Sequence, residues 1–219
     1  MKKGGTAVLL LVSILLCPGP IAADGGGDAP VSAGPACVPA SLPASARSPL
    51  PASGTYYDVA VGDIDLDGNP DIVAAGESAI GCWSGDGTGS WKSRAGPAGS
   101  KGFYAIALAD IDHDGRMDIA AAGEPGVRCW SGDAAWGWTP GTDPPAGGPY
   151  YALELADINI DGNADVAAAG EGGIRVGLGD GKGGWTAGPS PVSADSWFGV
   201  FVGDLNTDGK PDLAGCGNR

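Results

Sequence analysis

Apolar and polar residues alternate in short segments along this chain. In Tyr57-Asp58-Val59-Ala60-Val61-Gly62, apolar residues at 57, 59 and 61 have the period of two expected of a strand. An acidic stretch follows, then Asp71-Ile72-Val73-Ala74-Ala75-Gly76, a short apolar strand rich in small residues. A turn near Glu77-Ser78 leads into a third predicted strand over about 80–84. Gly85-Asp86-Gly87-Thr88-Gly89 has the chemistry of a hairpin turn, and a fourth strand starts near Trp91. Four short antiparallel strands of this kind describe one blade of a propeller.

The same order returns at a fixed interval. Asp63, Asp110, Asp157 and Asp204 are spaced 47 residues apart, and so are Tyr57, Tyr104, Tyr151 and Phe198. Gly76, Gly123, Gly170 and Gly217 keep the register, as do Trp91, Trp138 and Trp185, and Glu77, Glu124 and Glu171. A period of this length also occurs in helical solenoids, but those need uninterrupted amphipathic stretches of about ten residues or more, and glycine breaks this chain too often. The reading is therefore an all-β propeller of four 47-residue, four-stranded blades, over about 55–101, 102–148, 149–195 and 196–219. The small residues of Ala74-Ala75-Gly76 suit strands crowded near the axis. The fourth unit ends half-way, and residues about 31–52 are the candidates for its outer strands.

Between the first two strands lies the candidate chemistry. Calcium takes six to eight oxygen ligands, and alternate carboxylates on a tight loop converge on one point. The first loop offers Asp63, Asp65, Asp67 and Asp71 from positions one, three, five and nine, with Asn69 at position seven supplying its carbonyl. The second offers Asp110, Asp112, Asp114, Asp118 and the Arg116 carbonyl. The third offers Asp157, Asn159, Asp161, Asp165 and the Asn163 carbonyl, and the fourth Asp204, Asn206, Asp208, Asp212 and the Lys210 carbonyl. Glycine at position six permits the sharp turn. Position two (Ile64, Ile111, Ile158, Leu205) is expected to anchor each loop in the apolar layer. Asparagine at position three removes a charge, so the last two sites are expected to bind more weakly. An EF-hand is excluded, because its twelfth position carries a glutamate, whereas here Ala74, Ala121, Ala168 and Gly215 stand there. Magnesium suits such a crowded cage poorly.

The loops with their flanks, Val59-Ala60-Val61-Gly62-Asp63 and Pro70-Asp71-Ile72-Val73, resemble FG-GAP/VCBS repeats, the calcium-bearing blades of integrin-type propellers. The resemblance covers about residues 55–217. It implies a calcium-stabilised propeller, usually of seven or eight blades, in a family that ranges from adhesion proteins and lectins to accessory domains of enzymes. Four blades leave three assemblies open: a small closed ring, half of an eight-bladed homodimer, or a stretch of a longer array.

Composition adds location. Met1-Lys2-Lys3, an apolar run from Ala7 to Leu16 and Ile21-Ala22-Ala23 before Asp24 match a secretory signal peptide over 1–23. The run is about half of the roughly 20 residues that a membrane span needs. Cys17 lacks the small preceding residue of a lipidation site. With 26 acidic and 12 basic residues the net charge is −14, and loss of Lys2 and Lys3 takes it to −16. Such a chain repels nucleic acid and anionic membranes. The loops hold 14 of the 26 acidic residues, so four calcium ions bring the mature charge to about −8. Four cysteines follow the leader. An even count in an exported chain favours disulfides, with Cys37–Cys216 as one candidate pair. Cys82 and Cys129, on equivalent positions of neighbouring blades, are equally readable as bridged or as buried free thiols.

Catalysis finds little support. His113, the single histidine, sits inside a loop as a solvated residue, and there is no G-x-S-x-G motif. Repetition of Glu77, Glu124 and Glu171 argues for a structural role. Trp83, Trp130, Trp91, Trp138 and Trp185, with Asp86, Asp133 and Asp180 at the tip turns, are candidates for stacking on sugars, against a simpler role in blade packing. The expectation is a secreted, non-enzymatic, calcium-stabilised binding or adhesion module for a glycan or protein. The alternatives are an accessory domain of a carbohydrate-active enzyme and a structural surface protein.

Overall fold

The computed structural model describes residues 54–145, 147–192 and 194–218. Blade one comprises β1 (Tyr56–Gly62), β2 (Asp71–Gly76), β3 (Gly81–Gly85) and β4 (Trp91–Arg94). Blade two comprises β5 (Phe103–Ala109), β6 (Asp118–Gly123), β7 (Gly126–Gly132) and β8 (Trp138–Pro140). Blade three comprises β9 (Tyr150–Ala156), β10 (Asp165–Gly170), β11 (Gly173–Gly179) and β12 (Trp185–Ala187). Blade four has only β13 (Ser196–Gly203) and β14 (Asp212–Asn218) among the described residues. Each of the first three is an antiparallel meander, and the fourth is a two-stranded ribbon. The fold is thus all-β, built of propeller blades. The leader, Cys37 and the proposed completion of blade four by residues 31–52 lie outside the described residues.

Each blade packs face to face on the next. Blade one contributes Ala60, Ile64, Val73, Ala75 and Cys82 to a core shared with Phe103, Ile106, Ile119, Ala121 and Trp130 of blade two. The next core repeats it one blade on: Ala109, Ile111, Ala120, Ala122 and Cys129 meet Tyr150, Leu155, Val166 and Ala168. The second strands are not the ones nearest the axis, where the first strands stand; alanines fill them because they have a neighbouring sheet on both faces, with Ala120, Ala121, Ala167, Ala168 and Ala169 all fully buried.

This packing corrects two expectations. Ile64 and Ile111 anchor their loops at 2% and 4% exposure, but Leu205 is 56% exposed, because among the described residues no sheet packs on that face of blade four. Ile158 is half-buried. The tryptophans divide between two roles. Trp83 and Trp130 are core residues, edge-on to Tyr56 and Phe103 at 5.5 Å. Trp138 Nε1 donates to the Ala95 carbonyl and Trp185 Nε1 to the Thr142 carbonyl, each tying an outer strand to the preceding blade. Cys82 and Cys129 are buried free thiols, and burial pushes both up to about 12. Cys216 is a free, exposed thiol.

Ile119 has no exposed surface and lies between blades one and two. Ile119→Ala is expected to cost about 2–5 kcal/mol, as such truncations do in packed cores. Urea denaturation checks this, and a loss below about 1 kcal/mol contradicts the packing described.

Candidate metal centres and an aromatic row

The four acidic loops share one hydrogen-bond scheme. The position-one carboxylate closes the turn: Asp63 accepts from the Asp67 and Gly68 amides at 3.1 Å, and Asp110, Asp157 and Asp204 repeat this at 2.8–3.1 Å. Glycine at position six has φ of 83–89° in all four loops. Position four is also left-handed, with φ of 58–64° at Leu66, His113, Ile160 and Thr207. Residues with a β-carbon rarely adopt that conformation, and Ile160 is β-branched, so each loop stores strain.

Position nine acts as a staple. Asp71 Oδ2 accepts from the Ile64 amide at 2.8 Å while Oδ1 accepts from Gly85 on β3 at 2.9 Å. Asp118 does the same with Ile111 and Gly132, and Asp165 with Ile158 and Gly179. The partner must be glycine, since a β-carbon at Gly132 would stand 2.3 Å from the Met117 carbonyl oxygen. All three aspartates are buried. Desolvation raises the carboxyls of Asp71 and Asp165, and pushes Asp118 up to about 6 with help from neighbouring Asp112 and Asp114. Blade four has no third strand among the described residues. Asp212 keeps the Leu205 amide and meets Asn206 Nδ2 at 3.4 Å instead.

Two loops bring carboxylates together as a metal requires. Asp63, Asp65 and Asp71 place one oxygen each within 4.8 Å of one another, and so do Asp110, Asp112 and Asp118. Among the polar atoms of the first loop, Asp65 Oδ1 is buried with no hydrogen-bond partner. Three acceptor-only groups and an orphaned oxygen fit a hard cation. In loops three and four, Asn159 and Asn206 stand where the third carboxylate would be, and loop four is almost wholly exposed. Position five turns inward on the loop: Asp67, Asp114, Asp161 and Asp208 each accept from the amide two residues on. At position seven, the Arg116 side chain binds the Asp114 carboxylate and the Gly132 carbonyl. Lys210 is exposed, and Asn69 and Asn163 turn their side-chain oxygens toward the Gly87 and Gly181 turns.

Trp136, not singled out by the repeat pattern, bridges two blades. From the β7–β8 turn it donates Nε1 to Asp65 Oδ2 at 2.9 Å, with the Arg94 guanidinium 5.5 Å from its ring. The tip aspartates Asp86, Asp133 and Asp180 are committed to their own turns; Asp86 is lowered to about 2, chiefly by the Thr88 hydroxyl.

At the other end of the blades, a β-bulge falls at the same register of each innermost strand, at Tyr57, Tyr104, Tyr151 and Phe198. Bulges re-aim side chains. Here they line up four rings with successive centroids 5.3, 5.9 and 5.5 Å apart. Tyr104 donates to Glu124 at 2.6 Å and Tyr151 to Glu171 at 2.9 Å, which gives these two of the repeated glutamates a structural role.

Stacked four-stranded blades with an acidic loop after each innermost strand define a repeat propeller with metal-type loops. Residues 63–121 and 157–215 match the FG-GAP-like repeat, and the chain belongs to that family. No curated protein sequence matches the chain. Among solved structures, it is similar to an Agrocybe aegerita lectin described as recognising non-reducing terminal N-acetylglucosamine. That likeness has a TM-score of 0.51 and 21% identity, over 74% of this chain and 48% of the lectin. A second likeness, to BBS1N in a complex with ARL6DN, has a TM-score of 0.49 and 14% identity, over 76% of this chain and 55% of that one. The chain spans about half the length of the structures it matches.

The staple and the metal ligands are separable by mutation. Asp118→Ala strands two buried amides and is expected to destabilise the chain by about 1–3 kcal/mol per amide even in chelator. Asp112→Asn reproduces the residue of loop three and is expected to leave stability in chelator unchanged while reducing the response to metal. Equal losses in chelator would contradict this division. A second outcome concerns pH. Because burial raises Asp118 to about 6 in the fold, its contribution is present at pH 4 and lost as pH rises through 6. In chelator the Tm is therefore expected to fall between pH 4 and pH 7.

Proposed function

We propose that this chain is a secreted, non-catalytic binding module whose blades are stabilised by calcium and whose ligand is a glycan. The observation that carries the metal half is the converging carboxylates of loops one and two, with the partnerless Asp65 Oδ1 among them. Calcium is favoured over magnesium by the crowding of side-chain oxygens. Loops three and four, with one charge fewer each, are the weaker sites of a set of up to four.

The ligand half rests on the aromatic row. Tyr57 and Phe198 are each 49% exposed, and Glu77, Glu124 and Glu171 are exposed beside the row. Aromatic faces take the apolar face of a sugar ring, and carboxylates accept from its hydroxyls. Trp83, Trp130, Trp138 and Trp185 are occupied with packing or with hydrogen bonds to a neighbouring blade, so the row replaces them as the contact surface. Likeness to a lectin propeller adds weight to a sugar over a protein ligand. Calcium acts at the opposite end of the blades and holds their register rather than touching the ligand.

Millimolar calcium is expected to raise the Tm over that in chelator, by linkage of binding to folding. An unchanged Tm would refute calcium stabilisation. On a glycan array, binding is expected in calcium and to weaken at least tenfold in a Tyr104→Ala, Tyr151→Ala double variant. Release of a cleaved sugar would overturn the non-catalytic reading, and silence in both conditions would favour a purely structural role.

A further inference from the structure

The outer turns of blades two and three each lie against the acidic loop of the blade before. In the β11–β12 turn, a β-carbon on Gly183 would stand 3.8 Å from Asp112 Cβ of loop two, and one on Gly181 would stand 3.6 Å from His113 Cε1. One repeat earlier, in the β7–β8 turn, the counterpart of Gly183 is Trp136, which donates Nε1 to Asp65 Oδ2 of loop one at 2.9 Å. In blade one the counterpart is Gly89. All three positions are left-handed, with φ of 93° at Gly89, 67° at Trp136 and 77° at Gly183. Glycine adopts that conformation freely, whereas a large side chain adopts it under strain. Such strain persists only where surrounding contacts impose it, and it gathers at ligand sites.

The contact engages one oxygen of Asp65 and spares the other. Trp136 is 8% exposed, and the Arg94 guanidinium lies 5.5 Å from its ring. Arg94 Nε donates to Ser84 Oγ at 2.9 Å, and Arg94 Nη2 lies 3.8 Å from Asp65 Oδ2. Oδ2 is thus held from two sides, while the buried Oδ1 has no hydrogen-bond partner among the described residues. A carboxylate fixed through one oxygen presents the other in a single orientation. Donors placed behind metal ligands orient them in this way, and losing one typically costs about 10–100-fold in metal affinity. Loop two lacks the device: Asp112 Oδ2 meets only Ser131 Oγ of its own blade, at 3.4 Å, and Gly183 brings no side chain.

We infer that Trp136 is a positioning residue for the cation of loop one. Supplied by the next blade, its indole N–H fixes Asp65 so that the partnerless oxygen is the one left to ligate, and loop one is thereby the tightest of the four sites. The inference rests on the calcium reading of the loops proposed above. A packing role alone requires neither an N–H donor nor a tryptophan at a position where two other turns carry glycine.

Calorimetric titration of the full chain with calcium separates the sites, since the binding step lost in Asp65→Asn belongs to loop one and the step lost in Asp112→Asn to loop two. Trp136→Phe keeps an aromatic ring and removes the N–H donor. It is expected to weaken the loop-one step by about tenfold or more and to leave the loop-two step in place. In an Asp65→Asn background the same change is expected to have no further effect on calcium binding. Trp136→Gly, which reproduces the residue of blades one and three, serves as a second variant if the phenylalanine variant fails to fold, as judged by its circular dichroism melt. Unchanged loop-one affinity in a folded variant overturns the inference and leaves Trp136 a packing residue. Equal weakening of both steps overturns it in favour of a general loosening of the two blades. An unmodified chain that binds no calcium overturns the calcium reading and this inference together, whereas unchanged affinity in the variants overturns this inference alone.

Discussion

The carboxylates of Asp71, Asp118 and Asp165 each accept hydrogen bonds from two segments of chain at once, one amide in the acidic loop and one on the third strand. Buried acceptors of this kind are costly when unpaired and firm when paired. Much of each blade follows from that constraint. It fixes where the loop re-enters the sheet, demands glycine at 85, 132 and 179, and holds the carboxylates of positions one and three over the same point. Blade four shows what happens without it. Asp212 has no third strand to grip among the described residues, and its loop is the most exposed of the four.

Much of this was legible in the sequence because the repeat amplifies weak signals. One run such as Tyr57 to Gly62 is an ordinary strand pattern, but four in a register of 47 residues fix strand order, loop position and the small-residue strands together. What stayed hidden depends on the neighbours of a residue. Leu205 reads like Ile64, yet one is exposed and the other buried, because the repeat pattern does not say which face a neighbouring sheet covers. Trp83 reads as a possible sugar platform, yet it lies in the core under Tyr56. Position nine reads as one more ligand, and Asp71 and Asp118 do join the converging carboxylates, but that the same oxygens also staple the loop to the third strand is a property of the sheet. The bulges at Tyr57, Tyr104, Tyr151 and Phe198 left one signal, an aromatic repeated in register at the start of each innermost strand, but the change in pairing that exposes it is a property of the sheet.

The two ends of the blades carry different chemistry for a physical reason. At the loop end, backbone amides turn inward onto carboxylates, so the surface is acidic and strained, with left-handed residues at position four of every loop. At the bulge end the strands are interrupted by aromatic residues, whose rings meet edge-on or tilted along the row beside Glu124 and Glu171. On the proposed reading, stability and recognition are thereby set on opposite ends of the same strands.

Trp136 adds one more consequence. Its indole belongs to the outer turn of blade two, but its hydrogen bond goes to Asp65 in the loop of blade one, beside Arg94. A change in the charge or position of Asp65 is therefore felt by the neighbouring blade before it reaches any ligand. In a linear array where each unit touches only the next, such a link makes the units cooperative, so that order in one blade favours order in its successor. The indole is also a fluorophore, so in a variant that keeps Trp136 and replaces the other six tryptophans its emission would report that coupling.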